Sequence, residues 1–302
     1  MLNLTKTDIV IGDALAHLRT MAPRTVDSIV TDPPYGIATD GSMLGQVSAN
    51  YHRTATHSRG YADNDPRRYQ DWCTEWMSEC LAILKPGGHL VSFGGPPTIH
   101  RLMTAAEDAG FEVRTMLVWV HRPGAARGAF LTDQTGKRTG LASTLNPGFE
   151  PLVLLRKPIE TRTLGENVER HGTGALRAGD CAIPRLEDGD RLRHPSTVAV
   201  AEEWDLTAWG SPFFTPKPSK GERRVGNDVA HPTVKPLDLI RYLVRLATPK
   251  GGYVLDPFAG SGTTLEAATL EGLHCTVIEQ NPTYRPTIEA RLARARRADR
   301  AH

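Results

Sequence analysis

The chain has 302 residues, 39% of them hydrophobic and 23% charged, which suits one large globular α/β domain with an insertion, or two domains. Its net charge of +2 neither demands nor excludes a nucleic-acid partner. It has no apolar run near the ~20 residues of a membrane span, no secretory N-terminus, and four cysteines without CxxC or Cys/His ligand spacing, so we expect a cytoplasmic protein with no membrane contact, structural zinc or disulfide framework.

Residues 8–13 predict a short strand ending in Gly12-Asp13, and residues 14–21 a helix with Leu15, Leu18 and Met21 on one face. Residues 26–30 form an apolar run that suits a buried strand of a parallel sheet. It leads directly into Thr31-Asp32-Pro33-Pro34-Tyr35-Gly36. Two consecutive prolines cannot extend a ladder, and they stiffen the backbone where the strand stops. What remains is a rigid set of acceptors, the Asp32 carboxylate and neighbouring carbonyls, beside an aromatic ring. Such a patch suits a planar group bearing an NH2, such as a nucleobase.

Residues 37–66 read as a long polar loop carrying Tyr51, His52, Arg53, Arg59 and Tyr61, suited equally to DNA contact and to simple flexibility. Residues 69–84 have helical spacing, with Trp72 and Trp76 expected in the core, and Lys85-Pro86-Gly87-Gly88 is a helix stop and turn. A strand over 89–93, a helix over 99–109 and strands over 111–120 and 150–156 follow. This alternation predicts a parallel or mixed sheet covered on both faces. Between 159 and 230 the rhythm is lost, and Lys217, Lys220, Arg223 and Arg224 gather there. It returns with a helix over 237–247, strands over 253–255 and 274–278, and an Arg-rich final helix whose basic face fits solvent as well as phosphate.

The returning strand delivers Asp256-Pro257-Phe258-Ala259-Gly260-Ser261-Gly262-Thr263-Thr264. Glycines between a strand and a helix let the backbone approach a ligand at the helix N-terminus. The next strand ends in Glu279, an acid placed as one that takes the hydroxyls of an adenosyl ribose. No Lys-Ser or Lys-Thr follows the glycines to reach a terminal phosphate, and the full GxGxxG fingerprint is missing. An adenosine-bearing ligand without a pyrophosphate, S-adenosylmethionine, fits best.

With both motifs in view, the chain resembles the DNA amino-methyltransferases, in the β arrangement where Asp-Pro-Pro-Tyr precedes the cofactor motif. His231-Pro232-Thr233-Val234-Lys235-Pro236, Glu279-Gln280-Asn281-Pro282, Lys85-Pro86-Gly87-Gly88, Trp119 and Phe149-Glu150 also stand in family order. The resemblance implies a doubly wound, mostly parallel seven-stranded sheet of the S-adenosylmethionine-dependent methyltransferase type. Residues 1–158 and 227–302 would form the catalytic domain, and 159–226 an inserted target-recognition region.

It also implies that the Asp32 and Asp256 strands are neighbours, and that the Gly12-Asp13 strand lies beside the Glu279 strand at an edge. Asp32, Pro33, Pro34 and Tyr35 would form the catalytic patch. Asp13, Thr233, Lys235, Asp256, Phe258, Gly260, Ser261, Gly262, Thr263, Glu279 and Asn281 would surround the cofactor. Asp13 could receive the adenine amino group, cap a helix, or do both. Thr233 and Lys235 could hold the methionine carboxylate or simply start a helix, and Phe258 could cover the adenine or fill core.

The implied reaction methylates an exocyclic amine in double-stranded DNA, with adenine-N6 favoured by Asp32 and cytosine-N4 as the alternative. Carbon-5 chemistry would need a Pro-Cys nucleophile, which is missing. A DNA-binding module without turnover is the reading from another class, opposed by the intact Asp32 and Asp256. A homodimer and a cognate restriction endonuclease are partners that the resemblance admits.

Overall fold

The strand that leads into the double proline, β2 (Val26–Thr31), is buried at every position. The structure, a computed structural model, describes residues 6–36, 66–121, 130–142, 148–184, 192–193, 196–199, 218 and 234–299. Its strands are β1 (Thr7–Ile11), β2, β3 (Leu84–Phe93), β4 (Glu112–Val120), β5 (Phe130–Thr132), β6 (Arg138–Ala142), β7 (Phe149–Arg156), β8 (Ile183–Pro184), β9 (Leu192–Arg193), β10 (Val198–Ala199), β11 (Tyr253–Asp256) and β12 (His274–Glu279). The helices that frame them are α1 (Ala14–Leu18), α2 (Pro66–Ile83), α3 (Ile99–Asp108), α4 (Leu164–His171), α5 (Leu237–Ala247), α6 (Thr263–Leu270) and α7 (Arg285–Asp299). Among the described residues, no helix is long and apolar enough to cross a membrane.

The main sheet runs β1-β12-β11-β2-β3-β7-β4-β10. Seven of these strands are the expected ones. The eighth, β10, is a two-residue strand from the insert, paired in parallel with β4 at Val118 and Trp119. Every ladder is parallel except the two made by β7. The first residues of β7 therefore lie at the end of the sheet where the parallel strands finish, which is where α/β proteins build their sites.

Alternation along the strands sends side chains to two cores. Val30, Val91, Leu152, Val254 and Val277 pack under α5, α6 and α7. Ile29, Leu90, Val153, Leu255 and Ile278 pack under α1, α2 and α3. Each such side chain, fully removed from water, contributes on the order of 1.5–3 kcal/mol. The chain leaves β2 for α2 on one face and β11 for α6 on the other, so the winding reverses between these adjacent strands. Trp76 is fully buried as expected, and Trp72 is partly buried beside it.

Three features depart from the simplest reading of the sequence. Lys85-Pro86-Gly87-Gly88 turns within β3 rather than before it. The β2–β3 register jumps from Val26↔Leu84 to Ser28↔His89, so these residues bulge out of the ladder.

The insert begins as part of the core. Asn167 of α4 and Thr173 both donate to the Pro86 carbonyl, and the Arg177 backbone donates to Leu246. Residues 159–181 thus lie at the opposite end of the sheet from the Asp32 motif. The final helix also turns two of its arginines inward: Arg291 and Arg294 both bind Glu266 of α6, and the Arg291–Glu266 pair is fully buried. The loop expected over 37–66 lies outside the described residues except for Pro66, which starts α2, and the basic residues Lys217, Lys220, Arg223 and Arg224 lie outside them too.

Candidate active site

β2 ends at Thr31, and its hydroxyl donates to Asp256 Oδ1 at 2.7 Å across the β2–β11 seam. The Phe258 amide reaches the same oxygen at 3.0 Å, and Thr264 also bonds to this carboxyl. Burial lifts the Asp256 pKa to about 6. Asp256 therefore ties the two motif-bearing strands together and sets the start of the following turn. Its bonds are internal to the protein.

The turn from β11 into α6 is held against β12. Ala259 donates to the Ile278 carbonyl at 2.9 Å, and Gly260 donates to Glu279 Oε2 at 2.8 Å. Gly260 and Gly262 have φ of +52° and +83°, values that glycine adopts without strain. A Cβ on Gly262 would come within 2.9 Å of Ile288, so α7 closes over this turn only because the side chain is missing. The Ser261 and Thr263 hydroxyls are buried 3.4 Å apart at the helix start. Phe258 packs on Trp72 and Trp76 at 5.6 and 5.4 Å between ring centres, with part of its ring still exposed.

Glu279 lies at the end of β12. Its two oxygens accept from the Gly260 and Asn281 amides, both at 2.8 Å, and burial pushes its pKa up to about 7. A carboxyl group has about four lone-pair directions, which leaves capacity for hydroxyl donors. The Asn281 side chain caps the next turn by accepting from Thr283. Across the β1–β12 ladder the Gly12 amide donates to the Glu279 carbonyl at 3.0 Å, which brings Asp13 next to Glu279. Asp13 Oδ1 caps α1 through the Ala16 amide at 2.9 Å.

The glycine turn, the helix start, the partly buried Phe258 and two adjacent strand-end acids suit an adenosyl group. Donors for its ribose would go to Glu279, and its adenine would lie near Asp13 and Phe258. Thr233 is outside the described residues.

Beside this turn, the Asp32 carboxylate is held by two side chains. Tyr35 donates to Oδ1 at 2.8 Å and Lys235 Nζ lies 2.5 Å from Oδ2. Burial raises the Asp32 pKa against the opposing pull of Lys235. Burial also disfavours the Lys235 charge, yet Asp32 and Glu150 outweigh it and keep the Lys235 pKa above its ordinary value. Lys235, expected near a cofactor carboxylate or at a helix start, is paired with the catalytic motif. The physical reason is its burial: an ammonium so enclosed requires a carboxylate partner.

Pro33 is buried and Pro34 partly so, while the Tyr35 carbonyl is fixed by Thr98 Oγ1 at 2.6 Å. Gly36 follows with φ of +61°, where a Cβ would fall 2.4 Å from the Tyr69 ring.

Glu150 was noted in the sequence only for its place in the family order. It lies at the start of β7, with Oε2 3.2 Å from the Tyr35 hydroxyl and 3.4 Å from Lys235 Nζ. Its other oxygen is 3.7 Å from Nε2 of the buried His121, whose ring meets Trp119 edge-on at 5.0 Å. The signal that would have found Glu150 is the reversed direction of β7, which brings a strand start to the active end.

The comparisons with known proteins agree with this geometry. A family model for DNA methylases of the N6/N4 type matches residues 26–290. The chain belongs to this DNA methylase family. It is 29% identical over 299 residues to the Type II methyltransferase M.HindIII of Haemophilus influenzae, covering 89% of this chain and 90% of that protein. Among solved structures, the cytosine-N4-specific PvuII DNA methyltransferase matches with a TM-score of 0.63 at 15% identity, over 95% of this chain and 86% of that one. M1.HpyAVI in complex with S-adenosylmethionine matches with a TM-score of 0.53 at 19% identity, over 95% and 98%. These structures share the fold. The protein is therefore a DNA methyltransferase that uses S-adenosylmethionine as its methyl donor.

Proposed function

We propose that the enzyme methylates the exocyclic N6 amine of adenine within a specific double-stranded sequence. The observation that carries this reading is the Asp32 carboxylate at the mouth of β2, one strand from the Gly260–Gly262 turn. Asp rather than Ser at this motif position favours adenine.

An exocyclic amine is a poor nucleophile because its lone pair is delocalised into the ring. With Asp32 and the Pro33 carbonyl both accepting from the NH2, the nitrogen pyramidalises and presents its lone pair. This is electrostatic preorganisation with near-attack positioning and needs no covalent intermediate. Tyr35 stacks on a base turned out of the duplex. Bound S-adenosylmethionine supplies the methyl group as a sulfonium. Gly260, Ser261, Gly262 and Thr263 line its backbone cradle, with Asp13, Phe258, Glu279 and Asn281 around the adenosine. Asp256 supports this cradle from beneath, and we assign Thr233 to the cofactor as well.

Modification-sensitive sequencing of DNA from cells expressing the protein tests the reading. N6-methyladenine at one recurrent sequence is the expected outcome, and N4-methylcytosine would transfer the assignment to the alternative base. We further propose a cytoplasmic location and a companion endonuclease blocked by the same mark. Co-expression should then protect the host genome from cleavage. Sedimentation with and without DNA tests for a homodimer.

A further inference from the structure

In the structure, both oxygens of Asp32 are already engaged, by the Tyr35 hydroxyl and the Lys235 ammonium. The incoming amine needs that negative charge. Neither donor can withdraw by losing its proton. Burial and the nearby Asp32 charge hold the Tyr35 pKa well above its ordinary value, and the two carboxylates keep Lys235 charged. A competing acceptor can draw them away and free more of the Asp32 charge for the amine. One oxygen, Glu150 Oε2, lies within 3.2 Å of the Tyr35 hydroxyl and 3.4 Å of Lys235 Nζ.

We propose that Glu150 is a positioning residue that receives both donors when Asp32 turns to the target amine. No bond is made or broken in this step; two hydrogen bonds change acceptor. The exchange keeps the buried Lys235 paired throughout, so uncovering Asp32 avoids the large cost of an unpartnered buried charge. It also returns the negative charge of Asp32 to a nitrogen that becomes cationic as the methyl arrives.

Glu150 is built to stay still while its neighbours move. Its backbone is in register with Trp119 in the β4–β7 ladder. Its second oxygen faces His121, itself packed on Trp119. The two donors, by contrast, sit on connecting segments, Tyr35 just after β2 and Lys235 just before α5.

The inference rests on the amine-methylation reading, and wild-type transfer of labelled methyl from S-adenosylmethionine to DNA comes first as its control. If no DNA accepts methyl from the wild type, that reading falls, and this one with it. Given wild-type activity, steady-state kinetics of Glu150→Gln and Glu150→Leu follow, each with and without Tyr35→Phe. Gln keeps a neutral acceptor oxygen, and hydrogen bonds to ionised acceptors are about twice as strong. We therefore expect kcat to fall roughly 10-fold in Glu150→Gln and on the order of 100-fold in Glu150→Leu, with KM for DNA nearly unchanged.

Adding Tyr35→Phe to Glu150→Leu removes a donor that has no other acceptor and keeps the stacking ring, so kcat should recover several-fold above the single variant. A kcat for Glu150→Leu within about twofold of wild type would overturn the proposal. So would a double variant slower than Glu150→Leu, the result expected of a merely structural role. If Glu150→Leu does not fold, Glu150→Gln with and without Tyr35→Phe decides by the same criteria.

Discussion

The strand β2 carries an aspartate near each end, and each has a lysine partner from a distant part of the chain. At the lower end Asp27 Oδ1 meets Lys85 Nζ at 2.6 Å, and Oδ2 accepts the Tyr253 backbone amide at 2.7 Å. At the upper end Asp32 meets Lys235 at 2.5 Å and the Tyr35 hydroxyl at 2.8 Å. The two sites share a chemistry and differ in what their partners can do. A backbone amide inside a sheet has nowhere else to donate, so Asp27 is a fixed tie between β2 and β11. Both partners of Asp32 are side chains with a second carboxylate in reach. A buried carboxylate is structural when its donors are fixed and available for chemistry when its donors can be exchanged.

Replacing Asp32 by Ala should separate these roles most sharply. We expect methyl transfer to fall on the order of 1000-fold or more, with S-adenosylmethionine affinity by calorimetry nearly intact. Activity close to wild type would remove Asp32 from the chemistry.

Asp27→Ala should do the reverse. It leaves the Tyr253 amide without its acceptor, while the partly exposed Lys85 turns to water, and unfolding in urea should show a loss of about 1–3 kcal/mol. The kcat per folded molecule should stay unchanged.

A third contrast concerns carboxyls without a cation. Glu279 is held by two amides, and burial carries its pKa to about 7 from an ordinary 4.5. The folded state therefore binds a proton that the unfolded state has released. The resulting stability is fully present below pH 4.5 and is lost as pH rises through 7. Between pH 4.5 and pH 8 the loss should amount to about 2–3 kcal/mol. The Glu279→Gln variant should show a correspondingly flatter dependence of its urea midpoint on pH.

The smallest effect is expected from backbone alone. Gly260→Val forces a branched side chain onto a φ of +52°, and cofactor affinity should weaken roughly 10-fold. Calorimetry on the apoprotein measures this directly.

Much of this architecture was legible because it is local. Val26–Thr31, Leu237–Ala247 and His274–Glu279 declare themselves by periodicity, and the Gly260–Gly262 turn by its place between a strand and a helix. The adjacency of β2 and β11, and of β1 and β12, was implied by the family resemblance that the motifs carry.

What stayed hidden depends on contacts across the chain. Lys235 reaches Asp32 across 203 positions, and the sequence around it equally suits a cofactor ligand or a helix start. Glu150 gains its meaning only from the direction of β7. Asn167 looks like any polar helix residue until its amide is found on the Pro86 carbonyl, which moves the first part of the insert to the far end of the sheet. The arginines of α7 suited solvent as well as phosphate, yet Glu266, from the helix beneath, claims Arg291 and Arg294.

The short strand β10 fixes where the chain joins the edge of the sheet. It fastens the insert to the outer edge of β4 at Val198 and Ala199, and the chain re-enters the core at the buried Val234, next to Lys235. Among the described residues, these two places, β10 and Val234, are rigid posts. One post pairs with Trp119, whose other neighbour in the sheet is Glu150, and the other adjoins the lysine that grips Asp32. We propose that the residues between them read the target; exchanging these for a relative's residues while keeping both posts should then bring a new target sequence to an unaltered chemical centre, and an unchanged target would move specificity elsewhere.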